Sequence, residues 1–442
     1  MKHFRAVAVV VTSVALLLAG ARSAAEPRVV VISVDGLWAR DLQRAESAGV
    51  RLPVLDSLRR AGVLAVGVIG SLPSVTYPSH TTIITGLPPA RHGIYSNRRV
   101  HDPTDLDHAA DWWWEAAWIK VPTLFDVAHA AGKRAAAVGW PVTAEDASVA
   151  YNLPEVWNVR VFGDSDLTVM RRRGTPGLLD SLGAPAAGPA TDSLRAEWTA
   201  AILRRWDPDL TMLHLIDLDG VKHNRGPWDD SVAATLATVD RRIGRVLAAV
   251  RAGRPTTVVI TSDHGFFGYH HQLRPGVLLR RAGLVVLDTA GRVTEWSAAV
   301  LTSGGSAAFI PRDPGDPTIR ERIRRAIPDS LVGPAPGRPI RAVWPADSVA
   351  ALGGDPRAAW VIDLNEGYYS IAGYRGDFLD GRRGGGHGYD PRRPALYAFL
   401  LATGPGIRAG STLPLIRQTD IAPSLARILG LTLRGVEGRS VF

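Results

Sequence analysis

The 442-residue chain contains no cysteine. This absence excludes disulfide staples, thiolate zinc sites, a cysteine nucleophile and lipoprotein attachment, so a metal would be held by His, Asp, Glu or backbone oxygen. Beyond the N-terminus no segment offers the roughly 18 uninterrupted apolar residues that a membrane-spanning helix needs. No internal repeat is visible. No stretch interleaves basic residues with aromatics as a platform for single-stranded nucleic acid does. The formal charge of +9, with a pI near 10.1, comes mostly from arginines in short dispersed runs such as Arg171-Arg172-Arg173 and Arg382-Arg383. Dispersed charge reads as solvated surface, so a dedicated nucleic-acid partner is not expected. A small anionic substrate would be drawn by the same field.

Apolar residues make up 46% of the chain and charged residues 21%, which argues against disorder and allows a large buried sheet. At the N-terminus, Lys2 and Arg5 precede an apolar run from Ala6 to Leu18 and the small residues Ala19-Gly20-Ala21 and Ser23-Ala24-Ala25. A basic start, a short apolar stretch and a small-residue exit describe an export signal over residues 1–25. The mature chain, 26–442, is expected to be periplasmic or secreted, with no transmembrane span.

From Arg28 to Val34 the chain reads RVVVISV, a β-branched run suited to a strand buried on both faces. Further strands are expected at Leu64–Ile69, Arg134–Val138, Leu210–Ile216, Thr256–Ile260 and Leu396–Leu401. Helical patterns lie at Pro53–Ala61, Thr123–Ala131, Ser193–Trp206, Ser231–Val250 and Ile421–Leu429. This alternation predicts a doubly wound, mostly parallel α/β sheet. Residues 274–386 break the rhythm with many Pro and Gly and few helices beyond Ile319–Ala326, and read as an inserted cap.

In such sheets ligands gather beyond the carboxyl ends of the strands. Three strands end in acids there: Asp35; Asp217 and Asp219; and Asp263, which is followed by His264. One such Asp is usually a turn residue or helix cap, but three with histidines nearby are harder to read that way. Asp219 and His223 are four apart, on one face of a helical turn, and His387 stands in the glycine-flanked GRRGGGHGYD. With no thiolate available, this set suits a dication such as Zn²⁺. In LPSVTYPSHTTIITG, Thr76 and Ser79 fall at the start of an expected helix. Each could be a simple N-cap. A hydroxyl there beside a dication would be activated, and the helix N-terminus would also receive an oxyanion. His80 and His92 read as structural, and His101, His108, His129 and His214 carry no spacing that asks for a metal. Trp112-Trp113-Trp114 reads as packing, and Trp140 at a strand end as the tryptophan best placed to line a pocket.

The motifs VDGL, TYPSHTTIITGLPPARHGI, DLDGVKH, TSDHG and GGHGYD, in that order, resemble the alkaline phosphatase superfamily. They are most similar to the nucleotide pyrophosphatase/phosphodiesterase family, the type I phosphodiesterases, and the likeness runs from about Pro27 to the C-terminus. The resemblance implies two Zn²⁺ per chain and a threonine nucleophile. It assigns Asp35, Asp263, His264 and Thr76 to one zinc, and Asp219, His223 and His387 to the other. Asn97 matches the residue that binds the phosphoryl oxygen. Tyr77, where the family often has Phe, would form an aromatic substrate wall. Ser79 stands where the family usually has Asn. The expected activity is cleavage of phosphodiester or pyrophosphate bonds in nucleotides or similar diesters through a phospho-threonine. The alternatives are a phosphomonoesterase or a phosphonoacetate-type hydrolase on the same scaffold, and, from another class, a non-catalytic binding protein. A sulfatase is disfavoured because Thr76 cannot become formylglycine. Tyr77 and Pro78, beside Thr76, are neutral, which favours a monoanionic diester over a dianionic monoester unless Arg274, Arg382 or Arg383 reaches in.

Overall fold

Alternate residues of Arg28–Val34 serve two different cores. Val30, Ile32 and Val34 pack with the helices Asp192–Trp206 and Asp230–Leu247, whereas Val29 and Val31 face a second cluster containing Ile83, Ile84, Phe125 and Leu425. All seven residues of the strand are buried. A strand apolar on both faces needs helices on both faces, which is the physical reason for the three-layer α/β arrangement.

The computed structural model describes residues 26–99, 101–108, 111–159 and 163–442. The expected export signal at 1–25 lies outside them. Among the described residues, no helix is long and apolar enough to cross a membrane. The central sheet has eight strands in the order Ser411–Leu413, Val63–Ala65, Leu400–Thr403, Thr256–Thr261, Arg28–Val34, Leu210–Leu215, Ala135–Val138, Tyr151–Leu153. The five from Thr256–Thr261 to Tyr151–Leu153 are mutually parallel, while Leu400–Thr403 runs antiparallel to both its neighbours. The expected strand Leu64–Ile69 is broken into Val63–Ala65 and Val68–Ile69. At the break, a Cβ on Gly67 would meet the Tyr397 ring at 2.7 Å.

Residues between Phe267 and Gly386 build two larger sheets and a two-stranded ribbon, Val285–Leu287 with Val293–Trp296. Of the larger sheets, one is antiparallel, ordered Ala298–Thr302, Ser306–Pro311, Trp360–Leu364, Ile340–Pro345; the other places Phe267–Leu273 between Gly367–Ser370 and Leu379–Gly386. They share a separate apolar cluster that includes Leu279, Phe309, Ile323 and Ile362. The second sheet returns to the main body through its glycines. A Cβ on Gly385 would lie 2.2 Å from the Lys222 carbonyl oxygen, so only glycine lets Leu379–Gly386 rest against the helix Asp217–Arg225.

That helix is also tied to the turn after the first strand. Lys222 is fully buried, pairs with Asp41 and donates to the Gly36 carbonyl at 2.7 Å. A buried ion pair that loses one partner leaves an uncompensated charge. Lys222→Ala is therefore expected to lower unfolding stability by about 3–5 kcal/mol in urea denaturation. The volume-conserving double change Lys222→Met with Asp41→Leu should recover most of that loss.

Candidate active site

The parallel register aligns the acidic strand ends. Ser33 lies opposite both His214 and Thr261, so Asp35 emerges beside Ile216 on one side and Asp263 on the other. Gly36 continues the turn at a φ of 67°, and its N–H donates to Asp263 Oδ1 at 3.0 Å. His264 Nε2 then lies 3.1 Å from Asp263 Oδ2 and 3.5 Å from Asp35 Oδ1. These contacts are not aligned as hydrogen bonds. Asp35 Oδ1, Asp263 Oδ2 and both ring nitrogens of His264 are buried with no hydrogen-bond partner.

A second cluster adjoins the first. Asp219 Oδ1 is 3.4 Å from His223 Nε2 and 3.7 Å from His387 Nε2. His223 Nδ1 donates to the Gly385 carbonyl at 2.9 Å and His387 Nδ1 to the Ser74 carbonyl at 3.1 Å. With both Nδ1 atoms acting as donors, each neutral ring presents an Nε2 lone pair, and these face one another at 3.0 Å. Two lone pairs at that distance need a cation between them or an extra proton. The His264 and His387 rings stack at 3.6 Å between centroids, so the two clusters share a wall.

The electrostatics agree with the geometry. Burial, reinforced by Asp263 and Asp219, pushes Asp35 well above the carboxylate range. Burial raises Asp263 to about 6, against the opposing influence of His214 and the Gly36 N–H. Burial also lowers His264 well below its ordinary value and, together with His223, lowers His387 to about 4. His264 and His387 are thus neutral at physiological pH, and Asp35 Oδ1 and Asp263 Oδ2 are left without a hydrogen-bond partner. Unpaired oxygens and nitrogens converging in two groups fit a divalent ion at each.

Asp35 of the first cluster and all three residues of the second line a cavity of about 1180 Å³, as do Thr76 and Asn97, while Asp263 and His264 are not among its lining residues. Thr76 is the first residue of the helix Thr76–Thr85, all of which is buried; Gly86 ends it in the left-handed conformation. His80 anchors its first turn, bonding the Thr76 carbonyl at 2.8 Å and Ser33 Oγ at 2.9 Å. Asn97 Oδ1 accepts the Tyr77 N–H at 2.9 Å, and no other bond to the Asn97 amide group occurs among the described residues. Its NH₂ is therefore free to donate.

Two expectations need correction. Tyr77 and Trp140 are fully buried and do not line the cavity. From the second helical position Tyr77 points into a cluster with Ile94, Trp113 and Val142, and Trp140 packs edge-on against His80. The aromatic wall is made instead by Trp112, Trp157 and Tyr369. Trp112, read from sequence as packing, lies edge-on over Tyr77, with ring centroids 5.2 Å apart. Arg274, Arg382 and Arg383 are not among the cavity's lining residues, whereas Arg98 and Arg225 are. His214, Glu155 and Arg195 form a buried polar group behind Asp35. The sequence signal for it was a histidine in the middle of a strand buried at every position. Burial alone would depress His214, but Glu155 and Asp35 raise it to about 10.

This sheet, with acids and histidines at its carboxyl edge and a threonine heading the adjoining helix, defines a hydrolase of the alkaline-phosphatase type. The solved structure of murine ectonucleotide pyrophosphatase/phosphodiesterase 5 shares the fold, with a TM-score of 0.65 at 21% identity, covering 93% of this chain and 97% of that one. Another structure of that protein is an inactive threonine-to-alanine form in complex with AMP. Residues 29–390 match the family described as type I phosphodiesterase / nucleotide pyrophosphatase, and the chain belongs to it. It is an enzyme that hydrolyses phosphoric esters. Among curated proteins it is 25% identical over 425 residues to bis(5′-adenosyl)-triphosphatase enpp4 of Mus musculus, covering 92% of this chain and 78% of that protein. It is 23% identical over 425 residues to ectonucleotide pyrophosphatase/phosphodiesterase family member 5 of Homo sapiens, with 92% and 75% covered.

The raised carboxylates set a sign for metal uptake. Below about 6, Asp263 carries a proton that a cation must displace, so affinity falls on the order of tenfold per pH unit for each proton displaced. Zinc titration of chelator-stripped protein by calorimetry is expected to show affinity at least about tenfold weaker at pH 5 than at pH 7. Constant affinity across that range would count against carboxylate ligation.

Proposed function

We propose that the protein is an exported, zinc-dependent hydrolase that cleaves phosphodiester or pyrophosphate bonds of nucleotides or similar diesters through a phospho-threonine. The observation that carries this reading is the convergence of both clusters, Thr76 and Asn97 on one cavity. In this reading Asp35, Asp263, His264 and Thr76 hold one zinc ion, and Asp219, His223 and His387 the other. Bound there, the pair would neutralise phosphoryl charge and ease both the attack and the departure of oxygen.

The chain's own residues account for the rest. The helix start orients Thr76 Oγ1 toward the cavity, where it gives up its proton to solvent and forms a bond to phosphorus as the bond to the leaving oxygen breaks, that oxygen taking up a proton from solvent as it departs. Water then attacks the phosphorus, its oxygen remaining on the phosphate, and Thr76 regains its hydroxyl proton. The Asn97 NH₂ donates to a non-bridging oxygen, favouring the charge that develops there. Trp112, Trp157 and Tyr369 offer the organic group a flat apolar wall. A cavity of about 1180 Å³ exceeds the usual span for a single small ligand, which leaves room for groups on both sides of the phosphorus. Relatives named for bis(5′-adenosyl)-triphosphatase activity support a nucleotide substrate. We place residues 26–442 in one catalytic unit, with 274–386 as its cap and residues 1–25 directing export to the periplasm or beyond.

Thr76→Ala is expected to reduce turnover on the order of 10⁴-fold or more while retaining most bound zinc. Thr76→Ser, which keeps the oxygen, should recover part of the rate. Full activity in the alanine variant would exclude the covalent route. Single-turnover assays with metal analysis on the same samples provide both readings.

One observation favours a phosphomonoesterase instead: Arg98, next to Asn97, lines the cavity and could meet the second charge of a monoester. Its side chain has no ion-pair partner among the described residues. The test is kcat/KM for a nitrophenyl nucleotide diester against nitrophenyl phosphate at equal pH and zinc. The diester is expected to be faster. A monoester advantage of tenfold, about 1.4 kcal/mol in transition-state preference, would install the phosphatase reading.

A further inference from the structure

Asp35 has two carboxylate oxygens in unlike surroundings. Oδ2 faces His214 Nε2 at 3.2 Å, whereas Oδ1 is buried, has no hydrogen-bond partner and lies 3.5 Å from His264 Nε2. A carboxylate free to rotate about its own axis could exchange these roles. Here the exchange is blocked, because His214 is held at its other end: Nδ1 lies 2.9 Å from Glu155 Oε2 and 3.2 Å from the Gly139 carbonyl. Glu155 Oε2 is also 3.4 Å from Arg195 Nη1, and the same Nη1 donates to the His214 carbonyl at 3.2 Å. Arg195 thus grips both the side-chain partner and the backbone of His214. All three side chains are almost wholly buried. For stability alone, apolar residues of similar volume would serve this position as well or better.

We infer that His214 is a positioning residue. It fixes which oxygen of Asp35 faces the metal, with Glu155 and Arg195 holding the imidazole in register. The inference rests on the metal reading proposed above. Partners that orient a ligand in this way are typically worth 10–100-fold in metal affinity.

The two amide replacements of His214 separate positioning from mere packing. Glutamine places its amide nitrogen near the reach of Nε2 and can still donate to Asp35; asparagine reaches only as far as Nδ1, so it serves Glu155 and leaves Asp35 Oδ2 unheld. Both remove the ring and its charge. Zinc affinity of the stripped full-length protein is measured by chelator competition in an Asp219→Asn background, where the Asp35 cluster is the remaining site. The expected result is a loss of about 10–100-fold for His214→Asn and one at least about fivefold smaller for His214→Gln, which keeps the bond to Asp35 but gives up the hold of Glu155, at similar melting temperatures. Equal losses, or none in either variant, would overturn the inference while leaving the metal reading intact. If the background protein with His214 in place bound no zinc, the metal reading would fail and take this inference with it. Should His214→Asn not fold, Glu155→Gln is the second test. It preserves shape but weakens the hold on Nδ1, and a loss of about threefold or more in affinity is expected, with none overturning the proposal.

Discussion

Three carboxylates, Asp35, Asp219 and Asp263, crowd into a partly dry site, and their mutual repulsion is the constraint around which the molecule is arranged. Burial and like charge both push Asp35 and Asp263 toward the protonated state. A fold that tolerates this must give the acids a cation or hold them protonated. The surrounding groups favour the cation. His264 and His387 are held neutral by burial, and the outer nitrogens of His223 and His387 are committed to backbone carbonyls, so their Nε2 atoms turn inward. His214, backed by Arg195, brings positive charge to the other oxygen of Asp35.

The parallel sheet makes this crowding possible. Adjacent parallel strands end at the same edge, so one or two residues past each terminus suffice to bring acids from distant parts of the chain together. Asp35 and Asp263 are neighbours for this reason. Asp219 sits one helical turn away from the same edge, and His223 follows on the same face of Asp217–Arg225. The helix that begins at Thr76 is packed against the opposite face of the sheet through Ile83 and Ile84. Its first turn therefore points to the edge where the acids are.

Much of this could be read from the sequence, for identifiable reasons. RVVVISV and TMLHLID are apolar at nearly every position, which announces buried parallel strands, and the acids that end them then stand out. Five of the six residues of the two clusters were legible because strand ends and a four-residue spacing fix position without knowledge of packing, whereas His387 stood out only as a histidine in a glycine-flanked loop. Where a side chain turns inside the body was not legible. Tyr77 and Trp140 lie in the right segments, but the rotation of each about the backbone is set by tertiary neighbours such as Trp112 and His80. His214 looked like an ordinary core histidine because its partners, Glu155 and Arg195, are 59 and 19 residues away. Nothing in the local pattern links them.

The glycine run that lets Leu379–Gly386 rest on the helix Asp217–Arg225 has a consequence for what each half of the centre requires of the fold. His387 and His223 are 164 residues apart, and the intervening chain builds two sheets with a separate apolar cluster. Closing a loop of that length costs entropy that is recovered only when the distant faces meet. The second cluster is therefore complete only when those sheets rest on the helix Asp217–Arg225, whereas Asp35, Asp263 and His264 are brought together by the pairing of the central strands alone. The two halves of the centre thus depend on different parts of the fold, the first on the central sheet and the second also on the contact between a cap strand and a helix of the main body.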